Sequence, residues 1–444
     1  MDWAVAGRKV LLPGGSRPAC LHIEAGKFAE IAPIGHSHPG VDVYEAGELP
    51  VLPGLVDSHV HVNQPGRTEW EGFASATRAA MVGGTTTIVD MPLNSIPPTV
   101  SVEALDVKRA EAGLEVRSDV AFWGGLVPDN LDQLEPMAEA GVCGFKAFLV
   151  DSGVPEFPPV DLQQIRDALE VLARLGLPLL VHAEDPAHIH SAPDGNHYVD
   201  YLRSRAPEAE EEAVLGLIDA AADTGGHVHV LHLASAGALP AISMAKERGV
   251  GITAETCPHY LFFSSEEVPD GATQFKCAPP IRDRSHQDGL WGGLSSGTLD
   301  MVVSDHSPAP PELKAVESGD FGAAWGGISS VQLRLAVTWT AARDRGWALE
   351  NLVPKLALAP AALAGLAGRK GAIAVGMDAD LLVFDPDAGF IVDPTTLEHR
   401  HPLTPYGGRS LTGVAGLVVL RGEPAGPLTA GLLLPGPRAT ASTP

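Results

Sequence analysis

Val56-Asp57-Ser58-His59-Val60-His61 closes the apolar run Leu52–Val62, with its two histidines two residues apart. On a β-strand, residues i and i+2 share a face, so both imidazoles converge on one point. Imidazole is the commonest metal-binding side chain, and a pair at a strand end can grip one divalent ion. Seven further apolar runs follow: Thr85–Met91, Ser118–Leu126, Gly144–Val150, Pro178–Ala183, His227–Leu233, Gly251–Thr256 and Leu299–Ser304. Helical stretches such as Phe73–Val82, Asp161–Leu175, Ala209–Thr224 and Ala238–Arg248 separate them. Eight strands alternating with helices over about 320 residues predict a (β/α)8 TIM barrel carrying insertions.

The flanks read differently. Residues 1–52 show short strands at Lys9–Leu12, Leu21–Ala25, Phe28–Ile34 and Asp42–Glu45, and strands return at Asp380–Asp385 and Gly413–Arg421. The expectation is an α/β chain whose barrel, 53–369, is inserted into a small β-sandwich made from 1–52 and 370–444. The tail Pro435–Pro444 is expected to be frayed.

With 45% hydrophobic and 19% charged residues, the composition is that of a soluble globular protein. A net charge of −25 argues against nucleic acid and anionic membranes as partners. No run approaches the ~18 apolar residues of a membrane span, and Met1–Gly15 lacks the basic and apolar regions of an export signal. Cys20, Cys143, Cys257 and Cys277 lie far apart. They read as buried, reduced thiols of a cytoplasmic protein.

Barrel enzymes place their chemistry at the C-terminal ends of the strands. His59 and His61 fall there, as do Lys146, His182, His232 and Asp305 on four other runs. Lys146 is the one charge in Gly141-Val142-Cys143-Gly144-Phe145-Lys146-Ala147-Phe148-Leu149. Desolvation lowers the pKa of such an amine, unless the side chain snorkels to solvent. A neutral amine can react with CO2 to give a carbamate, N6-carboxylysine, which is an anionic ligand able to bridge two metals. The six residues thus read as a binuclear site, with His59 and His61 on one ion and His182 and His232 on the other. The Lys146 carbamate would lie between the ions and Asp305 beside the first. Such a site holds a bridging hydroxide as nucleophile, with Asp305 as general base and then acid. Zn²⁺ suits these ligands best, and Fe²⁺, Co²⁺, Mn²⁺ or Ni²⁺ also bind. His259 is expected beside the site, and His227, His229 and His306 are expected to be structural.

This constellation resembles the cyclic amidohydrolases of the amidohydrolase superfamily, which include dihydroorotase, hydantoinase (dihydropyrimidinase) and allantoinase. The resemblance runs from Pro53-Gly54-Leu55-Val56-Asp57-Ser58-His59-Val60-His61 to Gly371-Ala372-Ile373-Ala374-Val375-Gly376-Met377-Asp378-Ala379-Asp380-Leu381. It implies the barrel, the sandwich and the metal ligands named above. Several segments are most similar to the allantoinase branch. They include Pro65-Gly66-Arg67-Thr68-Glu69-Trp70-Glu71-Gly72-Phe73, Met91-Pro92-Leu93-Asn94 and Glu255-Thr256-Cys257-Pro258-His259-Tyr260. Lys276-Cys277-Ala278-Pro279-Pro280-Ile281-Arg282-Asp283, Trp325-Gly326-Gly327-Ile328 and His399-Arg400-His401 continue the pattern.

In dihydroorotases an arginine follows the second histidine by two residues and grips the substrate carboxylate. Here Asn63 stands there, either as a turn residue or as an amide facing an uncharged ring. Asn63, Asn94 and Ala278 are therefore the expected substrate contacts. Ala278 stands where related enzymes often carry serine. The resemblance implies hydrolysis of the ring amide of allantoin to allantoate by a homotetramer. A hydantoinase or dihydropyrimidinase is the alternative, ahead of a dihydroorotase or a non-catalytic scaffold.

Overall fold

The computed structural model describes residues 1–113, 115–426 and 429–439. The chain opens with β1 (Trp3–Leu12), β2 (Gly15–Glu24), β3 (Lys27–Ala32) and β4 (Asp42–Pro53). Three of these four strands are longer than the apolar residues alone suggest. Gly14 and Gly15, at φ 95° and 125°, turn the β1–β2 hairpin, and antiparallel pairing then zips it back to Trp3 opposite Ile23.

Eight barrel segments follow: β5 (Leu55–Val60), β6 (Thr85–Asp90), β7 (Asp119–Phe122) with β8 (Gly124–Gly125), β9 (Phe145–Phe148), β10 (Pro178–His182), β11 (His227–Val230), β12 (Ile252–Thr256) and β13 (Met301–Val302). All pair in parallel. The third run is interrupted at Trp123, whose indole donates to Ser58 O across the barrel at 2.8 Å. The eighth shrinks to two residues, and closure falls to a bridge between Val60 and His306 and to Ser304 N donating to Asp57. The strands are buried on both faces, which explains their unbroken apolar runs.

The crossover helices follow from local signals. Leu162–Leu175 begins with a capping box in which Asp161 accepts from Gln164 N at 2.8 Å. It buries Ile165, Ala168, Leu169 and Leu172 at helical spacing and stops at Gly176, φ 66°.

After the barrel come β14 (Leu381–Ile391), β15 (Ser410–Leu420) and β16 (Glu423–Pro424). They join the first four strands in one seven-stranded sheet of order β16-β15-β14-β4-β1-β2-β3. Phe28 on β3 and Val419 on β15 share one core with Leu21, Ile373 and Leu381, so the sheet folds over itself as a sandwich. Gly54 is the hinge between sheet and barrel. A Cβ there would lie 2.4 Å from Thr86 Oγ1 and 2.7 Å from Asp380 Cβ, so only glycine fits.

The tail expected to fray, Pro435–Pro444, is held at Gly436 and Arg438, and the segment just before it is docked on the barrel. Leu432–Leu434 runs beside β7, with Val120 N donating to Leu432 O and Leu434 N to Val120 O, and Gly436 N donates to Gly141 O. Leu434 is buried. This apolar Leu-Leu-Leu segment, just ahead of the tail, extends the sheet edge and leads the chain into its contact at Gly436. Residues 440–444 lie outside the described residues.

Candidate metal centre and active-site cavity

His59 is the penultimate residue of β5, and His61 is the first residue beyond that strand. His182 ends β10, while Lys146 lies inside β9. His232 and Asp305 sit just past β11 and β13, held at φ 35° and 43°. Positive φ costs energy for residues with a Cβ, and such strain concentrates at functional sites. Asn63 and Asn94, at φ 67° and 62°, share the feature beside the same cavity.

The six predicted residues come together at one end of the barrel. The ligand atoms of His59, His61 and Asp305 lie within 4.8 Å of one another. His59 Nε2 and His61 Nε2 stand 3.1 and 3.7 Å from Asp305 Oδ1. The His232 ring is 5.4 Å from that of His59 and 4.6 Å from that of His182. Phe148 stacks on His182 at 4.6 Å and carries Lys146 Nζ 4.8 Å above its ring.

Electrostatics prepares these groups as ligands. Burial, then the charge of Lys146, pushes the imidazoles of His59 and His61 well below their usual range. Burial, then His182, does the same for His232. All three are neutral with free lone pairs, the form that binds metal. Burial also lowers the Lys146 amine and raises the Asp305 carboxyl. Lys146 is 1% exposed and makes no ion pair among the described residues.

His59 Nε2, His61 Nδ1 and His232 Nδ1 are buried without a hydrogen-bond partner among the described residues. Buried polar atoms are rarely left so, and imidazoles gathered around a carboxylate are what divalent cations require. The donor set fits a metal site.

Sequence reading missed the acids behind the imidazoles. Glu255 on β12 accepts from His59 Nδ1 at 2.5 Å, from His229 Nε2 at 3.1 Å and from His232 N at 3.3 Å. The His59 bond fixes the tautomer and leaves Nε2 to face Asp305. Glu184 faces His182 Nε2 at 2.6 Å and takes both arms of Arg205, which hold its carboxyl down at about 2 against the cost of burial. A carboxylate inside the apolar run Ile252–Thr256 was the available signal for Glu255. His259 is buried with both ring nitrogens unpartnered among the described residues, and its ligand atom lies within 4.8 Å of Asp305 and Cys257.

A cavity of about 390 Å³ opens over these residues, lined by Asn94, Ala278, Ser307 and Trp325 among others. Asn94 Nδ2 donates to Asn63 Oδ1 at 3.1 Å, and Asn63 Nδ2 reaches Pro308 O at 3.4 Å. Asn63 thus stands behind Asn94, outside the lining residues. Arg205 and Lys276 also line the cavity. Arg205 is paired with Glu184, and Lys276 donates to the carbonyls of Phe321 and Gly322.

Residues 51–422 match the model of the amidohydrolase family. This chain belongs to that family. The amidohydrolase is 51% identical to a Streptomyces avermitilis protein named allantoinase, across 95% of each chain. It is 42% identical to the Saccharomyces cerevisiae allantoinase over 95% of this chain and 94% of that one. Among solved structures, the L-hydantoinase (dihydropyrimidinase) of Arthrobacter aurescens superposes with a TM-score of 0.91 at 29% identity, covering 99% of both chains. The dihydropyrimidinase of Brevibacillus agri gives 0.90 at 27%, covering 99% of this chain and all of the other.

Proposed function

We propose that this amidohydrolase opens the hydantoin ring of allantoin to give allantoate, a step of purine-ureide breakdown. The observation that carries this reading is the 51% identity over 95% of both chains to a protein named allantoinase. The cavity supports the same choice. Its cations Arg205 and Lys276 are committed to Glu184 and to backbone carbonyls, so they are not offered to a substrate carboxylate. The Asn94 amide and the polar Ser307 suit an uncharged ring such as allantoin.

His59, His61, His182, His232 and Asp305 would hold two divalent cations, with Zn²⁺ the best match to imidazole and carboxylate ligands. Such cations supply Lewis acidity and a water-derived nucleophile ionised at neutral pH. Lys146, its amine brought down to about 8 by burial, would add CO2 at Nζ in its neutral form with loss of one proton, and its carbamate would join the ligand set. Glu255 and Glu184 orient His59 and His182 from behind. Asp305 takes the proton of the attacking water and delivers it to the leaving ring nitrogen as the C–N bond breaks. Asn94, held by Asn63, orients the ring, and Ala278 lines the same cavity.

The test compares turnover of allantoin, 5-substituted hydantoins and dihydrouracil by metal-replete protein with bicarbonate present. Allantoin is expected to be preferred by kcat/KM; preference for either other class would reassign the substrate. Among the described residues no helix is long and apolar enough to cross a membrane. The reading carries a cytoplasmic homotetramer, and sedimentation at working concentration should return a mass four times 46.2 kDa.

A further inference from the structure

His36-Ser37-His38 repeats, in the small β domain, the spacing of His59-Val60-His61. The connector 33–41 crosses the outer face of the sheet, over a patch of small residues, Ala4, Ala6 and Ala32. His22 projects from the same face as Cys20 on β2, and the β2–β3 register sets Glu30 directly opposite it. Three imidazoles gather there. The ring of His38 is 4.7 Å from that of His22 and 5.5 Å from that of His36. His38 Nε2 lies 2.8 Å from Glu30 Oε2. The ligand atoms of His22, Glu30 and His38 all fall within 4.8 Å of one another.

A second observation points to an ion. His22 is fully buried, and its Nδ1 has no hydrogen-bond partner among the described residues. Its Nε2 lies 3.3 Å from His36 O, where an N–H would donate to the carbonyl. That bond selects the tautomer whose Nδ1 lone pair is free, the arrangement by which ligating histidines are oriented. A buried imidazole with an unpartnered nitrogen beside a carboxylate and two further imidazoles is a donor set without an acceptor. We propose that His22, His36, His38 and Glu30 form a separate structural site for one divalent transition ion, Zn²⁺ by ligand type, which pins the 33–41 connector to the sheet. His22, His38 and Glu30 supply three converging ligands, and the neighbouring His36 ring is the candidate for the fourth tetrahedral position. This site does not rest on the proposed reaction, and none of its residues lines the catalytic cavity.

The test uses the full chain, stripped and reloaded with Zn²⁺ against a chromophoric competing chelator, with bound metal counted by elemental analysis. His36 is exposed and His38 half-buried, so the His36→Ala/His38→Ala double variant should fold. It is expected to bind one equivalent less than the parent at equal free Zn²⁺, to lose part of the zinc-dependent rise in melting temperature, and to keep the parent's kcat. A His22→Gln chain should show the same missing equivalent. Equal stoichiometry and affinity in parent and double variant would overturn the site, leaving a plain Glu30–His38 ion pair. Loss of turnover in step with the missing equivalent would also overturn it, because the ion would then belong to the catalytic cluster.

Discussion

Glu255 is not among the residues lining the active-site cavity, yet it orients His59 and gathers His229 and the His232 backbone. Replacing it by glutamine keeps the shape and removes the anion. Acids behind ligating histidines typically govern affinity by about 10–100-fold. Glu255→Gln should therefore weaken metal binding by that factor, with activity recovering at high metal concentration. On the proposed reading, Lys146→Ala should abolish turnover and regain part of it with added short carboxylic acids, which would stand in for the proposed carbamate; unchanged turnover would remove Lys146 from the ligand set. His399 and His227 carry a pH signature. Burial pushes both imidazoles down to about 4. Between that value and about 6.5 the unfolded chain binds protons that the native one refuses, so stability rises with pH across this window. Below pH 6.5 each group costs roughly 1.4 kcal/mol per pH unit. His227→Gln should flatten the fall of the melting temperature between pH 6.5 and 4; an unaltered slope would mean that His227 titrates normally.

At the scale of elements, the helices were the most legible. Phe73–Val82 lies where its apolar spacing put it, and Asp161 caps its helix through the box readable in Asp161-Leu162-Gln163-Gln164. Strand ends were less so, because a ladder extends wherever a partner offers bonds. The C-terminal segment shows this best. Leu434 is 2% exposed against the underside of the barrel, remote from the cavity. Leu434→Ala should lower unfolding free energy by about 2–3 kcal/mol, within the range for a buried leucine, without changing kcat. A change below the error of denaturant titration would mean that this segment is not docked in solution.

At the scale of the molecule, Lys370 ties the two parts together. Its buried ammonium meets Asp119 of β7 at 2.6 Å, Asp380 at 2.7 Å and Asp378 at 3.0 Å, and Arg421 shares Asp119. The three carboxylates overcome desolvation and raise the Lys370 pKa. Lys370→Met would strand buried charges at the joint, at a cost of about 3–5 kcal/mol. Calorimetry should show a lower melting temperature, and a variant as stable as the parent would contradict this role.

The sequence by itself determined the alternation of strands and helices, the paired histidines and the lone lysine in an apolar strand. Each of these is written in residues less than about ten positions apart, within reach of 2.0 and 3.6 periodicity. Only the tertiary structure decided that Glu255 backs His59 across 196 positions and that Asn63 serves Asn94. The same holds for the tail on β7 and for the imidazoles of a loop meeting β2. Those pairings depend on barrel closure and on the folding of the sheet over its core. Such closure sets which buried polar groups meet, and no local pattern carries that information.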